Sequence, residues 1–330
     1  MQKDQNTQTE VKRRGQILSK FPKNLSLVFI IILLVVVFGA INTSFFSINN
    51  IINIFRHTSV LSLVAIGMAL IIIDGGFDLS VGANMALGGA IGAIVFKLSG
   101  SGALGIIAVL ITCTLIGTIN GVSVGVLNIN PFMFTLATAA LTRGLTLGLL
   151  NAQSVEMKDA TFTWLGGSQI GILPIVMIFV VIVYIIFYFI LRRNAFGFKI
   201  YAVGGNINAA RASGINTKLM VTYTYIITGL LVGIGSVITI GRIGSVQPWV
   251  GVGLEFDVIT AVIIGGVSLR GGEGTMLGTF LGALIIGVLI NGLSFMEINP
   301  FFQYIIRGVI IILVVFIDNI MHRRSSASYG

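Results

Sequence analysis

Residues 71–90 read IIIDGGFDLSVGANMALGGA. An isoleucine run stops at Asp74-Gly75-Gly76-Phe77-Asp78, and a second apolar run starts at Leu79. What the break means depends on what surrounds the chain. The 330 residues are 55% hydrophobic and only 9% charged, with a mean hydropathy of +1.02. A soluble domain carries about 25% charged residues. Too little polar surface exists here to face water, so the solvent is largely lipid.

A crossing helix needs about 20 apolar residues. Ten candidate spans follow: 25–41, 55–73, 79–97, 103–127, 131–150, 172–191, 217–240, 254–269, 275–293 and 302–320. The eighth is short, and the second and third nearly touch. The expected fold is all-α and polytopic, with a tail at 1–24, a membrane domain at 25–320 and a tail at 321–330. Leu25–Ile41 is longer than a signal-peptide core and lacks a small-x-small cleavage site, so it reads as a retained first helix.

The formal charge of +9 and pI near 9.9 do not indicate nucleic acid, because Lys and Arg flank apolar spans instead of forming one basic face. Cytoplasmic N- and C-termini place fourteen of the twenty basic residues inside, the exceptions being Arg56, Lys97, Arg143, Lys158, Arg242 and Arg307. The longest inside loop is then 192–216 and the longest outside loop about 151–171. Cys113 is the one cysteine, so the chain holds no internal disulfide and no Cys-rich metal site.

GGFDLSVGANMALGGAIGA (75–93) lines up with GGVSLRGGEGTMLGTFLGA (265–283). If this is a duplication, both copies start from the same side and the repeat is parallel, with interrupted helices marking the pathway. Recurrent small residues that let helices approach explain the likeness equally well.

Two readings of Asp74 and Asp78 stand side by side. They are hydrated residues at a span's end, or they belong to a broken helix. Gly75 and Gly76 permit a break, and Asp78 or Ser80 can cap the helix that follows. Asp78 suits the cap better than Asp74, since Leu79 opens the new run. Within 192–216, NINAARASG carries helix signals at both ends: Asn206 or Asn208 caps the start and Gly214 closes it. Ala209, Ala210 and Ala212 give it a smooth surface, with Arg211 exposed.

GGFDLSVG, AVGGNINAARASGI, GGVSLRGGEGTMLG and NPFFQYIIRGVIIILVVFID, in this order, resemble the permease subunits of bacterial ABC importers for ribose, galactose, xylose, arabinose and autoinducer-2. The resemblance covers roughly 25–320. It implies a two-protomer pore, homo- or heterodimeric, with about ten helices per protomer in the bacterial inner membrane. It implies an extracytoplasmic binding protein that delivers sugar and ATPase subunits that drive import. On the same grounds Asn206, Ala209, Ala210, Arg211, Ser213 and Gly214 belong to a coupling helix that seats in the ATPase. The Arg270-Gly271-Gly272-Glu273 order departs from the family pattern, so roles for Arg270 and Glu273 do not carry over.

No Gly-Lys dipeptide occurs, so the chain has no Walker A loop. With no Ser/His/Asp arrangement and only His57 and His322 as histidines, no catalytic residue, metal site or cofactor is expected. A sugar path needs polar groups and flat apolar faces. The candidates are Asp78, Asn84, Asn120, Asn128, Arg143 and Asn291, with Phe132 and Phe134. Each amide serves interhelical hydrogen bonding equally well. Arg143 lies in mid-span, where a charge costs about 2.5–3.5 kcal/mol on insertion scales, so it must face a partner or water; Asp78 is one candidate partner. An ion-coupled transporter would instead require mid-span acids, and Asp74 and Asp78 fall beside a predicted helix end.

Overall fold

The computed structural model describes residues 23–326. Of the expected tails, only 23–24 and 321–326 therefore fall within it, the latter as the end of the last helix. In order come α1 (Lys23–Ile41), a 3₁₀ turn (Thr43–Phe46), α2 (Ile48–Ile73), α3 (Val81–Ser99), α4 (Gly102–Gly125) and α5 (Pro131–Leu149). Next are β1 (Val155–Glu156), α6 (Ala160–Gly166), β2 (Gln169–Ile170), β3 (Leu173–Pro174), α7 (Ile175–Arg193), α8 (Ala195–Gly205) and α9 (Ile207–Ala212). The chain ends with α10 (Thr217–Ile243), β4 (Ser245–Val246), α11 (Leu254–Ile264), α12 (Met276–Phe295) and α13 (Pro300–Ser326).

Among the described residues, eight helices are long and apolar enough to cross a membrane: α1–α5, α7, α10 and α12. In α13 the apolar part is shorter, Phe301–Phe316. The span expected at 254–269 is corrected: α11 has 11 residues, about 16 Å of helix, and reaches only part-way. The span expected from 55 instead begins at Ile48, because Ser47 Oγ accepts from Asn50 N and so caps α2. Side-chain caps at Ser101, Asn130, Asn216 and Thr275 likewise occupy the N–H groups that open α4, α5, α10 and α12.

The core is built around α2. Within an eighteen-residue stretch, 89% of α2 is buried, against 17% of α1. Leu63–Ile73 runs through the middle of the bundle with every residue buried. Helices α4 and α10 lie backbone against backbone. A Cβ on Gly121 would stand 2.7 Å from the Thr222 carbonyl oxygen, and one on Gly125 2.6 Å from that of Lys218. Thr222 Oγ1 uses that proximity to donate to Gly121 O at 3.0 Å, a small-residue contact of the kind that joins helices in lipid. On α5 the buried side is polar: Thr135, Thr138, Thr142 and Thr146 are its buried helical residues. Each hydroxyl donates to the carbonyl four residues earlier. That satisfies the hydroxyls within their own helix and makes the stripe cheap to bury. Leu136, Leu141 and Leu145 are exposed on the other side.

The ends of α2 and α4 and the starts of α5 and α10 meet α9 around one cavity, and this end of the bundle is its α9 face. The 155–156/245–246 ladder, with Val155 paired to Val246, marks the opposite face. Both copies of the aligned segment break on the α9 face, and both run in the same direction. The second copy packs on the residue run that leads into the first: Gly272 N donates to Ile73 O at 2.8 Å. The second break is longer, since α12 starts at Met276 where an ungapped match to Val81 would fall on Gly271.

Candidate functional site

The segment 74–80 is an irregular backbone stretch between two buried helices. Gly75 takes φ +95°, a conformation costly for any residue with a Cβ. Asp78 Oδ1 accepts from Ser80 N at 2.8 Å and Ser80 Oγ at 2.6 Å, and Asn120 Nδ2 reaches Ser80 Oγ at 2.9 Å. Leu79 N donates to Thr135 Oγ1 at 3.1 Å, and Tyr225 Oη donates to Phe77 O at 2.8 Å. Ser80 holds the cap position of α3, but its side chain caps nothing; its hydroxyl is turned onto Asp78. Asp78 therefore braces the turn before the helix instead of capping the helix. Asp74 ends α2, with Oδ2 2.5 Å from Thr224 Oγ1 and Oδ1 buried without a partner.

Between this break and α9 lies a cavity of about 740 Å³. Its walls include Asp74, Gly76, Asn128, Asn208, Arg211 and Lys218. Asn206 caps α9 by accepting from Asn208 N and Ala209 N, both at 3.0 Å, and Gly214 closes it at φ +81°. Ala209, Arg211, Ala212 and Ser213 are exposed, but Ala210 faces inward, 4% exposed. It packs in one cluster with Ile71, Val203, Val221 and Tyr225. The cluster ties α9 to the helix that ends at the break and to the tyrosine that holds it. On α8, Tyr201 donates to Gly274 O at 2.8 Å, and burial raises its phenol above the usual range.

After β4 the chain turns back into the bundle. Val246 packs near Gly89 and Gly251 against Gly82, where a Cβ would meet the Gly251 carbonyl oxygen at 2.0 Å. Non-helical backbone at membrane depth needs internal partners, and Arg143 supplies them. Its Nη1 donates to Pro248 O at 2.6 Å and Val250 O at 3.0 Å. The partner suggested for Arg143, Asp78, is instead occupied by Ser80 and Asn120.

The other side of this re-entrant segment, Val250–Leu254, lines a second chamber of about 210 Å³ toward the opposite face, with His57, Arg242, Asp257 and Arg307. Arg307 Nη1 and Asp257 Oδ2 pair at 3.1 Å. In the loop between α5 and α7, Lys158 pairs with Glu156, which holds Glu156 below the usual carboxylate range and Lys158 above the usual amine.

The structure thus joins Asp78 and Asn120 in one network. Asn84 lies between α3 and α4, donating to Cys113 O at 3.1 Å. Asn291 stands apart on α12, its Oδ1 buried without a partner. Phe132 is 53% exposed on α5 and Phe134 is half-buried, so these candidates do not converge on one cavity. Sequence reasoning missed the chamber. Its signals were QPWVGVG at 247–253 and the exceptions Arg242 and Arg307 to positive-inside placement. Among the described residues no group of three or more His, Cys, Asp and Glu is arranged to hold a metal.

Residues 50–315 match the family model described as branched-chain amino acid transport system / permease component. The ribose import permease protein of Escherichia coli K12 is 37% identical over 319 residues, 95% of this chain and 98% of the relative. The D-allose transport system permease protein of the same organism is 37% identical over 301 residues, 89% and 91% of the two chains. Its galactofuranose transporter permease protein is 35% identical over 269 residues, 81% and 79%. No solved structure matches. This multi-pass membrane protein belongs to the branched-chain amino acid transport system / permease component family.

Proposed function

We propose that the chain is the membrane-spanning permease subunit of an ATP-binding cassette importer and forms the path for a monosaccharide of the ribose or galactose kind. The observation that carries this reading is similarity over most of the chain to three sugar permeases. The geometry supports it: a short helix, α9, shares a packed cluster with a helix break across a large cavity. An ATPase subunit pressing on Ala209 and Arg211 would move Ala210, and through it Tyr225 and the strand of backbone at Phe77. A second permease protomer completes the pore, and an extracytoplasmic binding protein delivers the sugar to the face opposite α9. Both termini lie in the cytoplasm, and the α9 face is the cytoplasmic one. Asp78 and Asn120 shape the path and Arg143 holds its re-entrant wall, whereas Asn84, Asn291, Phe132 and Phe134 remain lesser candidates.

The test is co-purification in mild detergent from the native host, with mass identification of bound chains. An ATP-binding cassette subunit should come with the permease and be lost when 206–214 is replaced by a Gly-Ser linker. Absence of any ATPase, together with transport by the permease alone in proteoliposomes, would overturn the reading in favour of an ion-coupled carrier.

A further inference from the structure

The chamber on the opposite face holds an unusual combination. Arg242, half-buried at the end of α10, has no hydrogen-bond or ion-pair partner among the described residues and lines the cavity. Arg307 pairs with Asp257 and lies with its guanidinium 5.6 Å from the Tyr304 ring centre, yet its Nε is buried and unpartnered. His57 completes the polar side. Val60, Leu61 and Met85 form an apolar side. Charged groups near a membrane's interior are expensive and tend to mark pathways, and a buried donor without an acceptor costs free energy until something supplies one.

The mixture identifies the occupant's chemistry. A site for a simple anion would not carry Asp257, and a site for a cation would not carry two arginines. A polyol needs both: a carboxylate to accept from hydroxyls, guanidinium N–H groups to donate to them, and an apolar wall for the C–H face. At about 210 Å³ the space is on the scale of one sugar ring. One wall is the backbone Val250–Leu254, which Arg143 fixes from behind.

We infer that this chamber is a binding site for a neutral monosaccharide within the permease, with Asp257 accepting from hydroxyls and Arg242 and Arg307 donating to them. The inference rests on the importer reading and adds a specificity-determining stage to it. The permease then senses its cargo directly instead of conducting whatever is released into it.

The experiment is saturation-transfer NMR on the full chain in lipid nanodiscs, with D-ribose, D-allose and D-galactose as probes. At least one sugar should bind saturably, and Arg242→Gln should weaken it about tenfold, the effect of one lost charge-assisted hydrogen bond. Arg242 has no structural partner, so this variant should fold; Asp257→Asn, which disturbs an ion pair, serves as the second probe and should also weaken binding. Leu141→Ala, on the exposed side of α5 and outside the chamber lining, should leave it unchanged. Binding that survives Arg242→Gln and Asp257→Asn would overturn the assignment. So would no binding of any probe by a chain that still transports the sugar with its ATPase; the importer reading would then stand without the site. Failure to assemble with an ATPase, with sugar binding intact, would overturn only the importer reading.

Discussion

Arg143 donates from α5 to the carbonyl oxygen of Pro248 at 2.6 Å, so a mid-span cation is spent on holding backbone in place. The same Nη1 reaches Val250 O at 3.0 Å. Arg143→Met would preserve the apolar stem and strip two carbonyls of their donor. Bonds to charged groups contribute about 1.5–3 kcal/mol each, so losing the two should cost about 3–6 kcal/mol. Thermal unfolding in detergent should show it, with Arg143→Lys recovering part. Unchanged stability in Arg143→Met would mean that the re-entrant segment is held otherwise.

At the break the acceptor, not the charge, matters. Asp78 Oδ1 takes both the N–H and the hydroxyl of Ser80. Asp78→Ala would leave these donors and the Asn120 amide buried together, at about 1–3 kcal/mol per orphaned group. Asp78→Asn keeps one carbonyl oxygen and should cost less. Folded yield by size-exclusion chromatography should therefore rank wild type, then Asn, then Ala. Equal yields, with transport alone impaired, would instead make Asp78 a sugar contact.

The two alanines at the centre of α9 should behave oppositely. Ala209 is exposed and Ala210 is buried beside Tyr225. Ala209→Trp adds bulk on the outer side and should abolish ATPase association in pull-down while leaving thermal stability near wild type. Ala210→Trp forces a large ring into a packed cluster, where overpacking costs about 1–3 kcal/mol or more, and should lower stability first. The reverse pattern would remove α9 from the ATPase interface.

Much of this was legible in the sequence because lipid leaves few options. Apolar runs of crossing length gave most helices, Gly75-Gly76 gave the break, and Asn206 and Gly214 bounded α9. Side-chain direction was less accessible: six-residue α9 has no periodicity long enough to show that Ala210 turns inward. The re-entrant segment was hidden because an apolar helix follows it directly, so 254–269 read as a whole span although the helix is only Leu254–Ile264. The chamber was hidden because Arg242, Asp257 and Arg307 come from three separate helices, α10, α11 and α13. Their one local signature was misplacement, two cations on the side where basic residues are scarce.

Gly82 offers the sharpest test of that re-entrant segment. It sits one residue into α3, and a Cβ there would stand 2.0 Å from the Gly251 carbonyl oxygen and 2.8 Å from Glu255 Oε2. Glu255 can swing aside, but backbone at Gly251 cannot move far, because Arg143 holds Pro248 and Val250 just before it. Gly82→Ala should therefore displace the segment, at about 1–3 kcal/mol for overpacking. Propensity pulls the other way, since alanine is favoured over glycine in a helix by about 1 kcal/mol, so the sign of the net effect is diagnostic. A destabilised variant with impaired transport is the expected outcome in thermal unfolding and uptake assays. Stabilisation would show that the segment does not pack on α3 at this depth. Combining Gly82→Ala with Arg143→Met tests the coupling: if both act through one segment, their costs should be non-additive.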